Sequence, residues 1–144
     1  MPELIAWVVA FAAAGAPAPG FNPNCNDPQS NLEMKLCTEQ EWKRADADMN
    51  EAYAKAIASA REQNRSARDM PGYEKMPDSE AMLRKAQRAW VAFRDTNCAY
   101  QYQLYYGGSH AGLAYLICKA DITKARAAEL KQLLNGLEDP EPQQ

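Results

Sequence analysis

Four cysteines, Cys25, Cys37, Cys98 and Cys118, are the residues of this chain whose chemistry is most sharply defined, and their spacing decides among three uses of sulfur. A redox-active dithiol needs two thiols within one turn, as in Cys-x-x-Cys, and no such pair occurs. Structural zinc is the competing use, but four thiolate ligands ordinarily come as two close pairs, so the same spacing weighs against it. Two disulfides are the expectation, as in small exported domains.

Other chemistry is thinly represented. The single histidine, His110, sits beside the turn pair Gly107-Gly108, where a first-turn or exposed position explains it as well as general-base work does. There is no Gly-x-Ser-x-Gly, no phosphate-cradling glycine loop and no His-Glu-x-x-His. Carboxylates two apart, such as Glu39 with Glu41 or Asp46 with Asp48, do not share a helix face and belong to solvated surfaces. The expectation is a protein that is not an enzyme, with no catalytic residue, no cofactor and no metal. A formal net charge of -3, from 16 Lys and Arg against 19 Asp and Glu, lacks the basic stripe that nucleic acid requires.

An apolar run from Leu4 to Ala14 breaks at Gly15-Ala16-Pro17-Ala18-Pro19-Gly20, the outline of a cleaved signal peptide over residues 1–19. No Lys or Arg precedes the run, so either the true start lies upstream or the leader works without a basic n-region. Phe21-Asn22-Pro23-Asn24 is not a small apolar box, so no lipid anchor is expected on Cys25. One helical domain is expected over residues 20–136, with a disordered acidic tail over 137–144.

The elements that must position the cysteines are three helices, an all-α, up-down-up bundle with two disulfides near one end after the signal peptide. Ser30-Asn31-Leu32-Glu33 has the capping-box form, making Ser30 the first N-cap. Apolar positions recur at Cys37, Ala45, Met49, Ala52, Tyr53, Ala56, Ile57 and Ala60, and this helix is expected to fray near Asn64. A connecting loop to Pro77 leads to Asp78 as the second N-cap, and the second stripe reads Leu83, Ala86, Trp90, Phe93, Asn97 or Cys98, and Tyr100 or Gln101, ending near Tyr106. Gly107-Gly108-Ser109 should end that helix and let Ser109 cap the third, with a stripe of Leu113, Leu116 or Ile117, Ile122, Ala125 and Leu133. No stretch alternates with period two, so no sheet is assigned.

In such a bundle the start of the first helix, the end of the second and the start of the third share one end. At about 1.5 Å per residue, Cys37, Cys98 and Cys118 lie roughly 10–13 Å from it, and Cys25 can fold back to the same level. Cys25 with Cys37 and Cys98 with Cys118 is the expected pairing, although four cysteines permit three connectivities and the sequence does not choose among them. The same arithmetic puts Asp46, Trp90 and Arg126 at about 24–25 Å and Arg94 at about 18 Å. A partly buried cluster of Asp46, Asn50, Gln87, Arg94 and Arg126 follows, with Asp46 facing Arg94 or Arg126 and serving packing register.

Several of these residues recur in a known order. Cys25 and Cys37, then Ala45-Asp46-x-x-Met49-Asn50-x-x-Tyr53, then Leu83-x-x-Ala86-Gln87-x-x-Trp90-x-x-Phe93-Arg94-Asp95-x-x-Cys98, then Gly107-Gly108-Ser109, Cys118 and Thr123-x-x-Arg126-x-x-x-Leu130 resemble the lysozyme inhibitor LprI-like domain family. The resemblance spans nearly all of Cys25 to Leu134. Met49 stands where leucine is usual, and the lipid-anchor cysteine of the mycobacterial lipoprotein that names the family is missing.

The resemblance implies a small exported helical domain, periplasmic or secreted, whose partner is lysozyme or a related peptidoglycan hydrolase. An inhibitor of such an enzyme should present rigid aromatics and hydrogen-bonding groups to a cleft holding two carboxylates. The turn between the second and third helices offers Tyr102, Tyr105, Tyr106, Gly107, Gly108, Ser109 and His110. The plainer reading is that the tyrosines close the bundle and the glycines turn the chain. The competing function is an envelope interaction or immunity-type protein with another partner.

Overall fold

A computed structural model describes residues 21–136; the expected leader and acidic tail lie outside the described residues. Three α-helices, α1 Asn31–Ala67, α2 Ser79–Gln103 and α3 Ala111–Asn135, are joined by a loop holding a short 3-10 turn, Tyr73–Lys75, and by a tight α2–α3 turn. No strand occurs among the described residues. The order is up-down-up: Asn31 meets Ser109, Glu41 meets Lys124 and Asp48 meets Lys131, so α1 and α3 run parallel. Cross-links from Asp46 to Arg94 and from Arg61 to Glu80 set α2 antiparallel to α1.

The caps explain where the helices begin. Ser30 Oγ accepts from the Glu33 amide at 3.1 Å, and the Glu33 carboxylate reaches back past Ser30 to the Gln29 amide at 2.9 Å. Such a cap contributes on the order of 1 kcal/mol. Asp78 accepts from the Ala81 amide at 2.8 Å. The first helix does not fray at Asn64. That side chain receives the Ser79 amide at 3.0 Å and donates to Asp78 at 3.0 Å, so it is tied to the start of α2, and α1 continues to Ala67.

Met49, Ala52, Ala56, Ala127 and Leu130 form the core, with Tyr53, Leu83, Trp90 and Leu134 packed against it. Complete burial of a leucine such as Leu130 contributes roughly 2–3 kcal/mol, and the alanines around it let α1 and α3 approach closely. The stripe expected for α1 is the one it buries, except that Cys37 and Tyr53 are half-buried.

The other two helices follow expectation only in part. α2 buries Gln87, Arg94 and Cys98, with Leu83 and Trp90 half-buried, whereas Ala86, Phe93 and Tyr100 face outward. α3 buries Cys118, Lys119, Ala120, Thr123, Arg126, Ala127 and Leu130, leaving Ile117, Ala125 and Leu133 exposed. It packs against both neighbours, so it buries two stripes rather than one, and small or polar residues occupy much of both.

The loop end of the bundle is held by charge. Glu80 accepts from Arg61 of α1 at 2.7 and 2.9 Å and from Arg84 at 2.7 and 2.9 Å. These hydrogen bonds, Arg61's first, hold the Glu80 carboxyl down from 4.5 to about 2. Its folded value lies below its unfolded one, so its contribution is complete above pH 4.5 and is lost as pH falls toward 2. Urea midpoints measured from pH 5 to pH 2 should fall less steeply for Glu80→Gln than for the native chain. Because the cluster is solvated, the difference should shrink in high salt.

Candidate functional site

Both disulfides sit at the end opposite that loop. Cys25 pairs with Cys37 and Cys98 with Cys118, each with a Cα–Cα distance of 5.5 Å. Among the described residues no group of three or more His, Cys, Asp or Glu is placed to hold a metal ion. Cys98 is completely buried and covalently fixes the end of α2 to α3. The Asn31 side-chain amide donates to the Ser109 carbonyl at 2.8 Å, tying the α2–α3 turn to the first residue of α1.

That turn is a projecting tip. α2 ends at Gln103 rather than near Tyr106, and the chain then reverses through Tyr106 at φ +50 and Gly107 at φ +70. A left-handed tyrosine costs roughly 1–2 kcal/mol, and glycine carries the same region at little cost. Gly108 suits the turn for a different reason, because a Cβ there would stand 3.1 Å from the Tyr105 carbonyl oxygen, a contact the turn would have to relieve by a few tenths of an ångström. Ser109 is not the N-cap of α3. His110 holds that position without a side-chain cap, and Ser109 Oγ lies 3.2 Å from His110 Nδ1 instead.

Tyr102, Tyr105, Tyr106, Gly107, Gly108, Ser109 and His110 are all exposed. Tyr106 is 96% exposed, so it caps nothing in the described residues, whereas Tyr102 at 38% lies partly against the bundle. The tip therefore combines a strained, outward aromatic with small polar groups on a covalently braced base.

The second assembly is the polar layer between α2 and its neighbours. Arg94 Nη1 lies 3.4 Å from Asp46 Oδ1, and Asn50 donates to Asp46 at 3.0 Å. Arg126 Nε donates to Gln87 at 3.0 Å, Gln87 donates to the Met49 sulfur at 3.0 Å, and Arg126 also pairs with Glu129. The Trp90 ring lies between the two guanidinium groups, 5.0 Å from Arg94 and 6.0 Å from Arg126. Arg126 is thus committed to Gln87 and Glu129, and Asp46 faces Arg94.

Sequence reasoning missed half of this layer. Asp95 accepts from Arg94 at 2.9 Å and from the buried Lys119 at 2.5 Å, and Lys119 rests over the Trp42 ring at 4.7 Å. Burial raises the Asp95 carboxyl, but the hydrogen bonds and charges of Lys119 and Arg94 outweigh it and hold the group below its ordinary value. A signal was present: Asp95 precedes Cys98 by one helical turn and Lys119 follows Cys118, so the disulfide brings the two together.

Fold and site together define a disulfide-clamped helical module with a rigid aromatic tip and a charge-filled seam. The family model of the lysozyme inhibitor LprI matches residues 24–130, and the chain belongs to that family. An uncharacterised protein of Rhizobium meliloti (strain 1021) is 30% identical over 138 residues, covering 96% of both chains. The uncharacterised protein YecT of Escherichia coli (strain K12) is 35% identical over 80 residues, covering 54% of this chain and 46% of that protein. No solved structure matches the chain.

Proposed function

We propose that the protein is an exported, periplasmic or secreted, stoichiometric inhibitor of lysozyme or a related peptidoglycan hydrolase, and that the α2–α3 tip is its contact surface. Membership of the inhibitor family supports the partner class. The observation that carries the site is Tyr106, 96% exposed in a left-handed conformation on a disulfide-braced tip, because a strained outward aromatic does nothing for the bundle itself. Glycosidase clefts hold two carboxylates between sugar subsites, and tyrosine rings with serine and histidine donors are suited to fill such subsites. The net charge of -3 favours a basic partner, weakly.

A cell-wall turbidity assay with purified oxidised protein tests the function: inhibition should saturate at a fixed molar ratio to enzyme. The double variant Tyr106→Ala with Ser109→Ala should weaken binding by at least about tenfold while leaving the melting temperature nearly unchanged, since neither side chain is packed. Inhibition that survives the double variant would move the contact surface elsewhere on the bundle. No inhibition of any lysozyme class would point to a different envelope partner.

A further inference from the structure

α2 is inside out. The only residues it buries completely enough to count as core are Gln87, Arg94 and Cys98, while Met82 (56% exposed), Phe93 (58%), Tyr100 (63%) and Leu104 (56%) point to solvent. Ala86 and Ala89 lie exposed between them. The spacing of Met82, Ala86, Ala89, Phe93, Thr96 and Tyr100 alternates four and three, the heptad seam of a helix that pairs with another helix. No charged side chain interrupts it from Met82 to Tyr100, a length of about 27 Å.

The seam is also self-complementary. Its six positions pair about a point level with Val91: Met82 with Tyr100, nine residues to either side, Ala86 with Thr96, five, and Ala89 with Phe93, two. A two-fold axis level with Val91 therefore lays Ala89 of one copy opposite Phe93 of the other, small against large, Ala86 opposite Thr96 and Met82 opposite Tyr100. That is the arrangement an isologous interface demands.

We propose that the protein forms a two-fold dimer through antiparallel pairing of α2 with α2 of a second copy, centred level with Val91. Met82, Phe93 and Tyr100, each more than half exposed out of about 200 Å², with Ala86, Ala89 and Thr96 between them, give roughly 500 Å² per copy. The total is then on the order of 1,000 Å², the lower limit for a specific interface. The axis lies twelve residues from the end of α2 at Gln103, so the two helix ends that carry the tips point away from each other, about 36 Å apart. A dimer of this form presents two contact tips at once.

Light scattering or sedimentation equilibrium of the oxidised full chain should give twice the chain mass at about 100 µM, whatever the hydrolase partner proves to be. Phe93→Glu places a carboxylate of each copy against Ala89 of the other beside the axis and should raise the dissociation constant at least tenfold with an unchanged helical circular-dichroism spectrum; Ala89→Glu gives the same result if the first variant folds poorly. Ile117→Glu, an exposed apolar position on α3, should leave the mass unchanged. Met82→Lys should weaken the dimer, and adding Tyr100→Glu to the same chain should restore it, because these positions face each other only in the antiparallel register. A native chain that stays monomeric at that concentration, a dimer that survives Phe93→Glu, or a failure of the second charge to restore pairing overturns the proposal.

Discussion

Replacing Cys98 and Cys118 together by alanine should lower unfolding stability by about 3 kcal/mol, the loss expected from releasing a loop with a sequence separation of 20. Against a typical total of roughly 5–15 kcal/mol for a domain, that is a large fraction, and the melting temperature should fall by about 10 °C or more. The sulfurs are buried, so the alanines also leave space at the α2–α3 contact, where Asn97 Nδ2 approaches Cys118 Sγ at 3.5 Å. The corresponding change at Cys25 and Cys37 should cost less, because that loop has a separation of 12 and Cys25 lies in an exposed segment. Urea titrations of the two paired variants check both magnitude and order. A loss below about 1 kcal/mol at Cys98–Cys118 would mean that helix packing alone holds the tip end.

The second large effect belongs to Asp95. Asp95→Asn removes the carboxylate that Lys119 and Arg94 share, and leaves a cation almost without solvent contact. Stranding one partner of a fully buried pair costs about 3–5 kcal/mol, and because the Asp95 side chain is 48% exposed the expected loss here is nearer 2 kcal/mol. Lys119→Met should cost much less, since the thioether fills the space over Trp42 and brings no unpaired charge. The double variant should then be more stable than Asp95→Asn alone. The pH dependence has a definite sign. With the folded pKa below the ordinary 3.8, Asp95's contribution is complete above that value and is lost as pH falls through the folded one. Equal losses for Asp95→Asn and Lys119→Met would show that the seam acts through shape and not through charge.

How much of this was legible in the sequence differs from helix to helix. In α1 the three-and-four spacing from Ala45 to Ala60 marks the buried face, because only one side of that helix is apolar. α2 has two candidate sides. Periodicity measures amphipathicity and carries no information about which side meets the bundle, so Ala86 and Phe93 read as part of the apolar stripe, while Gln87 and Arg94, which the heights along the bundle put in a partly buried cluster, are the residues that face the core. The cysteine could have decided the matter: once Cys98 must reach Cys118, Arg94 and Gln87 fall on its side of the helix. Height along the bundle was readable from residue counts, which is why Asp46 could be set against Arg94, but rotation about each axis was not. The tip was readable as a turn from Gly107-Gly108, whereas the left-handed Tyr106 and the uncapped start of α3 depend on how Asn31 holds Ser109.

The placement of both covalent links at one pole makes the molecule mechanically lopsided. Near the tip, sulfur fastens α2 to α3 and the Asn31 amide fastens α1 to the turn between them; at the other pole no covalent link keeps α2 beside α1, which rests on the contacts of Arg61 with Glu80 and of Asn64 with Asp78 and Ser79, and on the packing of Leu83. Thermal opening therefore begins at the loop pole and travels toward the tip, so the chain can breathe there while the surface it presents outward keeps its shape.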